Sequence, residues 1–326
     1  MKMNPHFLEI KDLKKTYPLR GKKTKLFAAK ERMCAVDHLS LYMEEGETYG
    51  LVGESGCGKS TIGRTIVGLE KADSGSILCE GKELCGLSER EFRPYRKDLQ
   101  MVFQNSLSAM NPRSRVGDIL DEILAVHGEK DNGKRREKVL SILQKVGLSE
   151  EHYFRFPHEL SGGQVQRLGI AGALITQPRL IVCDEPVSAL DVSIQAQILN
   201  MLVELKKELH LSLLFISHDI GVIRFISDRI GVMYLGRLVE ETTAERLFEH
   251  PLHPYTKTLL AAVPDPYITG RKFQALDGEQ PVRTEGFQGC AFRSRCPYAT
   301  KKCAEEAPQF CEVESGHKAA CHYIKE

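Results

Sequence analysis

The stretch Gly53-Glu54-Ser55-Gly56-Cys57-Gly58-Lys59-Ser60-Thr61 constrains this chain more than any other. It follows the apolar Tyr49-Gly50-Leu51-Val52, which reads as the end of a strand. It precedes Ile62–Leu69, whose apolar residues at 62, 66, 67 and 69 suit a helix. Strand, glycine turn and helix are the context in which G-x-x-x-x-G-K-S/T binds phosphate. The glycines let backbone N–H groups converge on an anion with no Cβ in the way. The helix N-terminus adds unpaired donors and its dipole. Lys59 is then expected on the terminal phosphates and the Ser60 hydroxyl on Mg²⁺. The bland alternative is a glycine turn that only starts a helix. Cys57 lies within the loop, so its thiol is expected to be open to alkylation and shielded by nucleotide.

A chain of 326 residues can bury one large core and carry a smaller second unit. Its 42% hydrophobic and 27% charged residues are ordinary for a globular protein. The net charge of +1 sets up no global field toward nucleic acid. No apolar run approaches the roughly 18 residues of a membrane span. Met1–Ile10 has no signal-peptide apolar region, so a cytoplasmic protein is expected. The ten cysteines then point to metal or core positions rather than disulfides.

Residues 7–17 read as an edge strand ending at Tyr17. The basic segment 20–32 reads as a solvated loop, with contact to lipid headgroups or a partner as the alternative. Ala35–Tyr49 is strand-like around a Glu-Glu-Gly turn at 44–46; Asp73–Ser76 reads as a turn and Ile77–Leu84 as a hairpin. Leu99–Phe103 is a strand followed at once by Gln104. Apolar spacing predicts helices across 116–147 with a polar break at Glu129–Gly133. Further on, Leu180–Cys183 and Leu213–Ser217 are buried strands on either side of a long amphipathic helix, Ile194–Leu209. Strands alternating with helices, with candidate residues at the strand C-termini, form the doubly wound α/β pattern.

Asp184-Glu185 ends the first of these strands. Asp184 is expected to hold Mg²⁺ and Glu185 to act as general base on water. His218, after the next strand, can reach the γ-phosphate side and orient Glu185 or the water. Gln104 offers an amide to Mg²⁺ and the water, and Tyr17 can stack on adenine. Ser161-Gly162-Gly163-Gln164 is a second glycine turn opening a helix, hence a second anion site. One ATP does not need two such sites from one chain, so a dimer is expected, each 161–164 turn facing the other chain's phosphate loop.

Tyr17, 53–61, Gln104, 160–164, 180–185, Ser188-Ala189-Leu190-Asp191 and His218, in this order, resemble the ATP-binding subunits of ABC transporters across residues 7–250. The resemblance implies A-loop, Walker A, Q-loop, signature, Walker B, D-loop and H-loop roles respectively. It implies a RecA-like α/β core, an antiparallel β subdomain and a helical subdomain at about 105–175. Asn105–Arg113 and His250–Pro264 resemble the oligopeptide/dipeptide importer branch, which also includes nickel and glutathione importers. Val165 and Gly172 stand where the family usually has Arg, losing charge near the phosphate-facing surface; Ser106–Met110 is also unusual. A non-transport ABC ATPase is the rival reading, though no second nucleotide domain or long coiled-coil insert is seen.

Residues 251–326 resemble the C-terminal extension of the same branch. Cys290, Cys296, Cys303, Cys311 and Cys321 cluster there, with a spacing that fits neither a zinc finger nor a ferredoxin run. Iron–sulfur, zinc and no metal are open on spacing alone. The resemblance implies a 4Fe-4S cluster on Cys290, Cys296, Cys303 and Cys321, with Cys311 left over. It also implies a second, non-identical ATPase subunit, two membrane permease subunits and an extracytoplasmic solute-binding protein. Nucleic acid is not an expected partner. The chain would work at the cytoplasmic face of the plasma membrane.

Overall fold

The computed structural model describes residues 6–19, 32–262, 281 and 283–324. Nearly all of the basic segment 20–32, and residues 263–264 of the His-Pro motif, lie outside the described residues. The elements run β1 (Leu8–Pro18), β2 (Arg32–Met43), β3 (Thr48–Val52), α1 (Lys59–Ile66), β4 (Ser74–Cys79), β5 (Lys82–Glu83) and α2 (Glu89–Phe92). Then come β6 (Leu99–Val102), α3 (Val116–Val126), α4 (Asn132–Lys145), α5 (Gly162–Leu174), β7 (Leu180–Asp184), α6 (Val192–Leu209), β8 (Ser212–Ser217) and α7 (Ile220–Ile226). The last are β9 (Arg229–Tyr234), β10 (Arg237–Thr243), α8 (Ala244–Glu249), α9 (Pro254–Ala261), α10 (Lys301–Glu305), β11 (Cys311–Glu314) and β12 (His317–Ala319).

The main sheet is mixed, in the order β11-β12-β10-β9-β3-β8-β7-β6. Strands β9, β3, β8, β7 and β6 are parallel, and β10, β12 and β11 join antiparallel. The doubly wound pattern therefore holds only in the parallel half. Register places Val52 beside Ser217, Asp184 beside Ile216 and Val102 beside Cys183. The turns after β3, β6, β7 and β8 thus open at one edge of the sheet, where ligands of open α/β sheets bind.

Period-two alternation divides the core into two layers. Val52, Val102, Ile181, Cys183, Leu213 and Phe215 face the helices α3, α5, α6 and α7. Leu51, Met101, Leu180, Val182, Leu214 and Ile216 face α1 and the antiparallel sheet β2-β1-β4-β5. Two expectations are corrected here. Residues 7–17 are not an edge strand: β1 is paired on both sides, by β2 and β4. Its charges mislead because Lys11 and Asp12 occupy outward positions of an interior strand, at an irregular stretch where Asp12 has φ 50°. The supposed turn at 73–76 is the start of β4, whereas the hairpin turn at Glu80-Gly81 stands as read.

The helices at 116–147 separate at His127–Asp131, where Asp131 caps α4 through its carboxylate. Val165 is buried, and a side chain at Gly172 would meet Ile123 and Leu120 of α3. Val165 thus packs inside the helical layer, while Gly172 is partly exposed beside α3. No helix among the described residues is long and apolar enough to cross a membrane.

Candidate active site

The phosphate loop joins β3 to α1 over a path only glycine permits. Gly56 and Gly58 take φ of 81° and 104°. A Cβ on Gly58 would lie 1.9 Å from Ala35 O, and one on Gly53 would lie 2.1 Å from Met233 O. Lys59 is buried, and its Nζ donates to Gly53 O at 2.6 Å and Glu54 O at 3.0 Å. The ammonium thus braces the loop from within, next to where phosphate oxygens are expected. Ser60 Oγ donates to Asp184 Oδ1 at 2.7 Å. Burial, first, raises the Asp184 pKa; the Ser60 hydrogen bond and the charges of Arg64 and Lys59 oppose it. A hydroxyl beside a carboxylate is an oxygen donor set that suits Mg²⁺.

Glu185 follows with φ 49°, a conformation that costs a non-glycine residue about 1–2 kcal/mol. Its N–H is held by Ile216 O at 2.9 Å. Its carboxylate accepts from Gln104 Nε2 at 2.9 Å and pairs with His218 Nδ1 at 3.1 Å. Three strand ends therefore converge on one carboxylate. Tyr17, at the end of β1, uses Thr61 and Glu70 as hydroxyl partners, and partial burial raises its pKa. That sets its ring beside the last residue of the loop. Cys57 is only 1% exposed, which overturns the expectation of a freely alkylated thiol. Burial also raises its pKa, against the charge of Lys59.

Ser161 caps α5, with its side chain and that of Gln164 closing a reciprocal capping box. Ser161 and Gly162 are exposed, while Gly163 packs against Ile194 of α6. Asp191 caps α6 by accepting from Ile194 N at 3.2 Å, and also accepts from Ser193 Oγ at 2.9 Å. Among the described residues, no hydrogen bond or ion pair joins 160–164 to 53–61.

The C-terminal cysteines do not fit a metal as they stand. Among the described residues, no group of three or more His, Cys, Asp or Glu side chains is arranged to hold an ion. Cys303 Sγ lies 3.4 Å from Thr300 Oγ1, and Cys321 Sγ accepts from Tyr323 N at 3.4 Å. Burial raises the pKa of Cys290 to about 11 and also raises those of Cys296 and Cys321. Thiols tied into local turns are not a converged ligand set. The 4Fe-4S expectation for Cys290, Cys296, Cys303 and Cys321 therefore gains no support from this arrangement.

Two residues that sequence reading missed touch the loop: Tyr255 OH accepts from Glu54 N at 3.0 Å, and Arg295 is ion-paired with Glu54. Tyr255 lies in the His-Pro motif and Arg295 in the Arg-Cys-Pro stretch of the cysteine tail, but neither stretch by itself points to the loop.

Comparison with known proteins agrees with this geometry. The family model for the ABC transporter matches residues 36–188. The model for the oligopeptide/dipeptide transporter C-terminal region matches residues 239–303. The chain is 48% identical to the oligopeptide transport ATP-binding protein OppF of Escherichia coli, covering 96% of this chain and 95% of the relative. It is also 48% identical to the oligopeptide transport ATP-binding protein AppF of Bacillus subtilis, covering 97% and 96%. It is 44% identical to the dipeptide transport ATP-binding protein DppF of Haemophilus influenzae, covering 99% and 98%. Among solved structures, the ATP-binding cassette MJ0796, dimeric and bound to ADP and Pi, matches with TM-score 0.64 at 28% identity, over 73% of this chain and 98% of that one. The chain belongs to the ABC transporter ATP-binding proteins, in the branch that carries the oligopeptide/dipeptide transporter C-terminal region.

Proposed function

We propose that this chain is the ATPase subunit that powers import of di- and oligopeptides across the plasma membrane, from its cytoplasmic face. One observation carries the chemistry: Glu185 lies between Gln104 and His218, one residue beyond the Asp184–Ser60 pair. Glu185 is the general base that draws the proton from the attacking water. His218 and Gln104 hold it and orient the water, and the Gln104 amide would also be available to Mg²⁺. Ser60 and Asp184 would hold Mg²⁺, whose charge would offset that of the terminal phosphates. Gly53–Thr61 cradles the phosphates and Tyr17 stacks on adenine. The names of the relatives, oligopeptide and dipeptide transport proteins, supply the cargo class.

The exposed Ser161-Gly162-Gly163-Gln164 turn and Asp191 serve a second, non-identical ATPase subunit, whose phosphate loop they complete. Two permease subunits provide the membrane path and an extracytoplasmic solute-binding protein delivers cargo; nucleic acid has no part. By function the chain divides into an ATP-binding part, 1–250, with a helical part at about 105–175, and a C-terminal part, 251–326. For the C-terminal thiols Cys290, Cys296, Cys303 and Cys321, the resemblance of the tail alone favours a 4Fe-4S ligand set, since as placed they do not form one. Protein purified without oxygen that holds neither iron nor a visible thiolate–iron band defeats it.

Uptake of labelled di- and oligopeptides in a strain lacking the gene tests the transport reading. Lost peptide uptake, restored by the native gene but not by Lys59→Ala, supports it. Intact peptide uptake with lost nickel or glutathione uptake moves the cargo to that class. Lys59→Ala should also weaken Mg-ATP binding by calorimetry, and unchanged affinity removes Lys59 from the site.

A further inference from the structure

The phosphate loop rests on the C-terminal part of the chain. Tyr234 at the end of β9, Tyr255 on α9 and Phe292 are all buried, with ring centroids 4.7 to 5.4 Å apart. Two polar groups extend from this aromatic cluster to Glu54, the second residue of the loop. Tyr255 OH accepts from Glu54 N at 3.0 Å. Arg295 Nη1 donates to Glu54 Oε1 at 3.0 Å and Oε2 at 2.9 Å, and reaches Tyr234 OH at 3.5 Å. The Arg295 side chain is 7% exposed and that of Glu54 24%, so water screens this pair weakly.

Glu54 poses a problem for a loop that receives a polyphosphate. A carboxylate within the loop repels the anion that the surrounding N–H groups attract. A guanidinium whose Nη1 reaches both carboxylate oxygens offsets that repulsion and also holds the side chain. It is supplied from 241 residues away. We propose that Arg295, assisted by Tyr255, is a positioning residue for the phosphate loop. It neutralises and holds Glu54 so that the loop donors meet the nucleotide phosphates unopposed. Nucleotide affinity therefore depends on the docked C-terminal segment. The proposal rests on reading Gly53–Thr61 as the phosphate site.

The test measures Mg-ATP affinity of the full chain by calorimetry, with thermal unfolding as a control. If the native chain does not bind Mg-ATP, the phosphate-site reading itself fails. If it binds, Arg295→Gln should weaken affinity by about tenfold, and Arg295→Lys should fall between it and the native chain. The double variant Glu54→Gln/Arg295→Gln removes both charges and should return affinity to within about threefold of native. That recovery separates charge control from general damage to the tail. A native-like affinity for Arg295→Gln, or a double variant as weak as the single one, overturns the proposal. Should Arg295→Gln not fold, the double variant decides alone: binding within about threefold of native supports the proposal, and weaker binding overturns it.

Discussion

At the residue scale, Glu185 is the most heavily determined side chain of the site. Its backbone sits at φ 49°, with the N–H held by Ile216 O and the carboxylate shared by Gln104 and His218. A strained conformation kept by three surrounding contacts is typical of a group whose direction matters. Glu185→Gln should keep Mg-ATP affinity and lower hydrolysis by roughly 10²–10⁴-fold, as loss of a general base does. Near-native turnover in a phosphate-release assay removes the base assignment. Cys57 behaves oppositely to its sequence context. It is buried behind the loop with a raised pKa, and reactivity follows exposed thiolate. Iodoacetamide should therefore modify the exposed Cys311 well before Cys57, which timed peptide mass spectrometry can follow. Faster labelling of Cys57 places its thiol outside the loop wall.

At the element scale, β10 joins the catalytic sheet to the tail. It pairs with β9 on one side and β12 on the other. Glu240 on β10 is fully buried, accepting from Leu252 N at 2.7 Å and His253 N at 2.8 Å and pairing with His317 Nε2 at 2.8 Å. Burial would raise its pKa, but these donors hold it below the ordinary carboxylate value. Beside it, His253 caps α9, and burial drives its pKa from 6.5 down to about 4. Between these two values the unfolded chain binds a proton that the folded chain excludes, so stability falls as pH falls through this window. Above 6.5 neither state is protonated at His253 and its contribution is constant. The effect across the window is about 3 kcal/mol. His253→Asn keeps a capping side chain without the titration, so its urea-unfolding midpoint should depend less on pH over that range. An unchanged slope assigns the dependence to another group.

At the scale of the whole molecule, no hydrogen bond or ion pair joins the two glycine turns among the described residues. The 53–61 loop packs against β2 and β9 at Gly53 and Gly58 and meets the C-terminal segment at Glu54, with Ser55 and Gly56 exposed; Ser161 and Gly162 are open to the surface as well. We predict that the isolated chain binds Mg-ATP yet hydrolyses it slowly. Turnover per chain should rise on adding the second ATPase subunit, or with concentration if the chain pairs with itself. Full turnover by a monomer at nanomolar concentration rules out a shared site. The phosphate loop, the Asp184-Glu185 strand end, the helix start after Ser161 and the long α6 were all legible in sequence, because each depends on neighbours within a turn or two. The pairing of β1 was not, because its exposed Lys11 and Asp12 resemble an edge while hydrogen bonds on both sides come from strands the local pattern does not reveal.

Sequence alone singled out the candidate site residues and their order along the chain, since glycine placement and apolar period act over short range. Tertiary structure alone decided which of them meet. Ser60 reaches Asp184 across 124 residues, Gln104 reaches Glu185 across 81, and Arg295 reaches Glu54 across 241. Those contacts depend on strand register and on the docking of the tail against β10. Both are set by burial of apolar surface over the whole core, which no short stretch of sequence encodes.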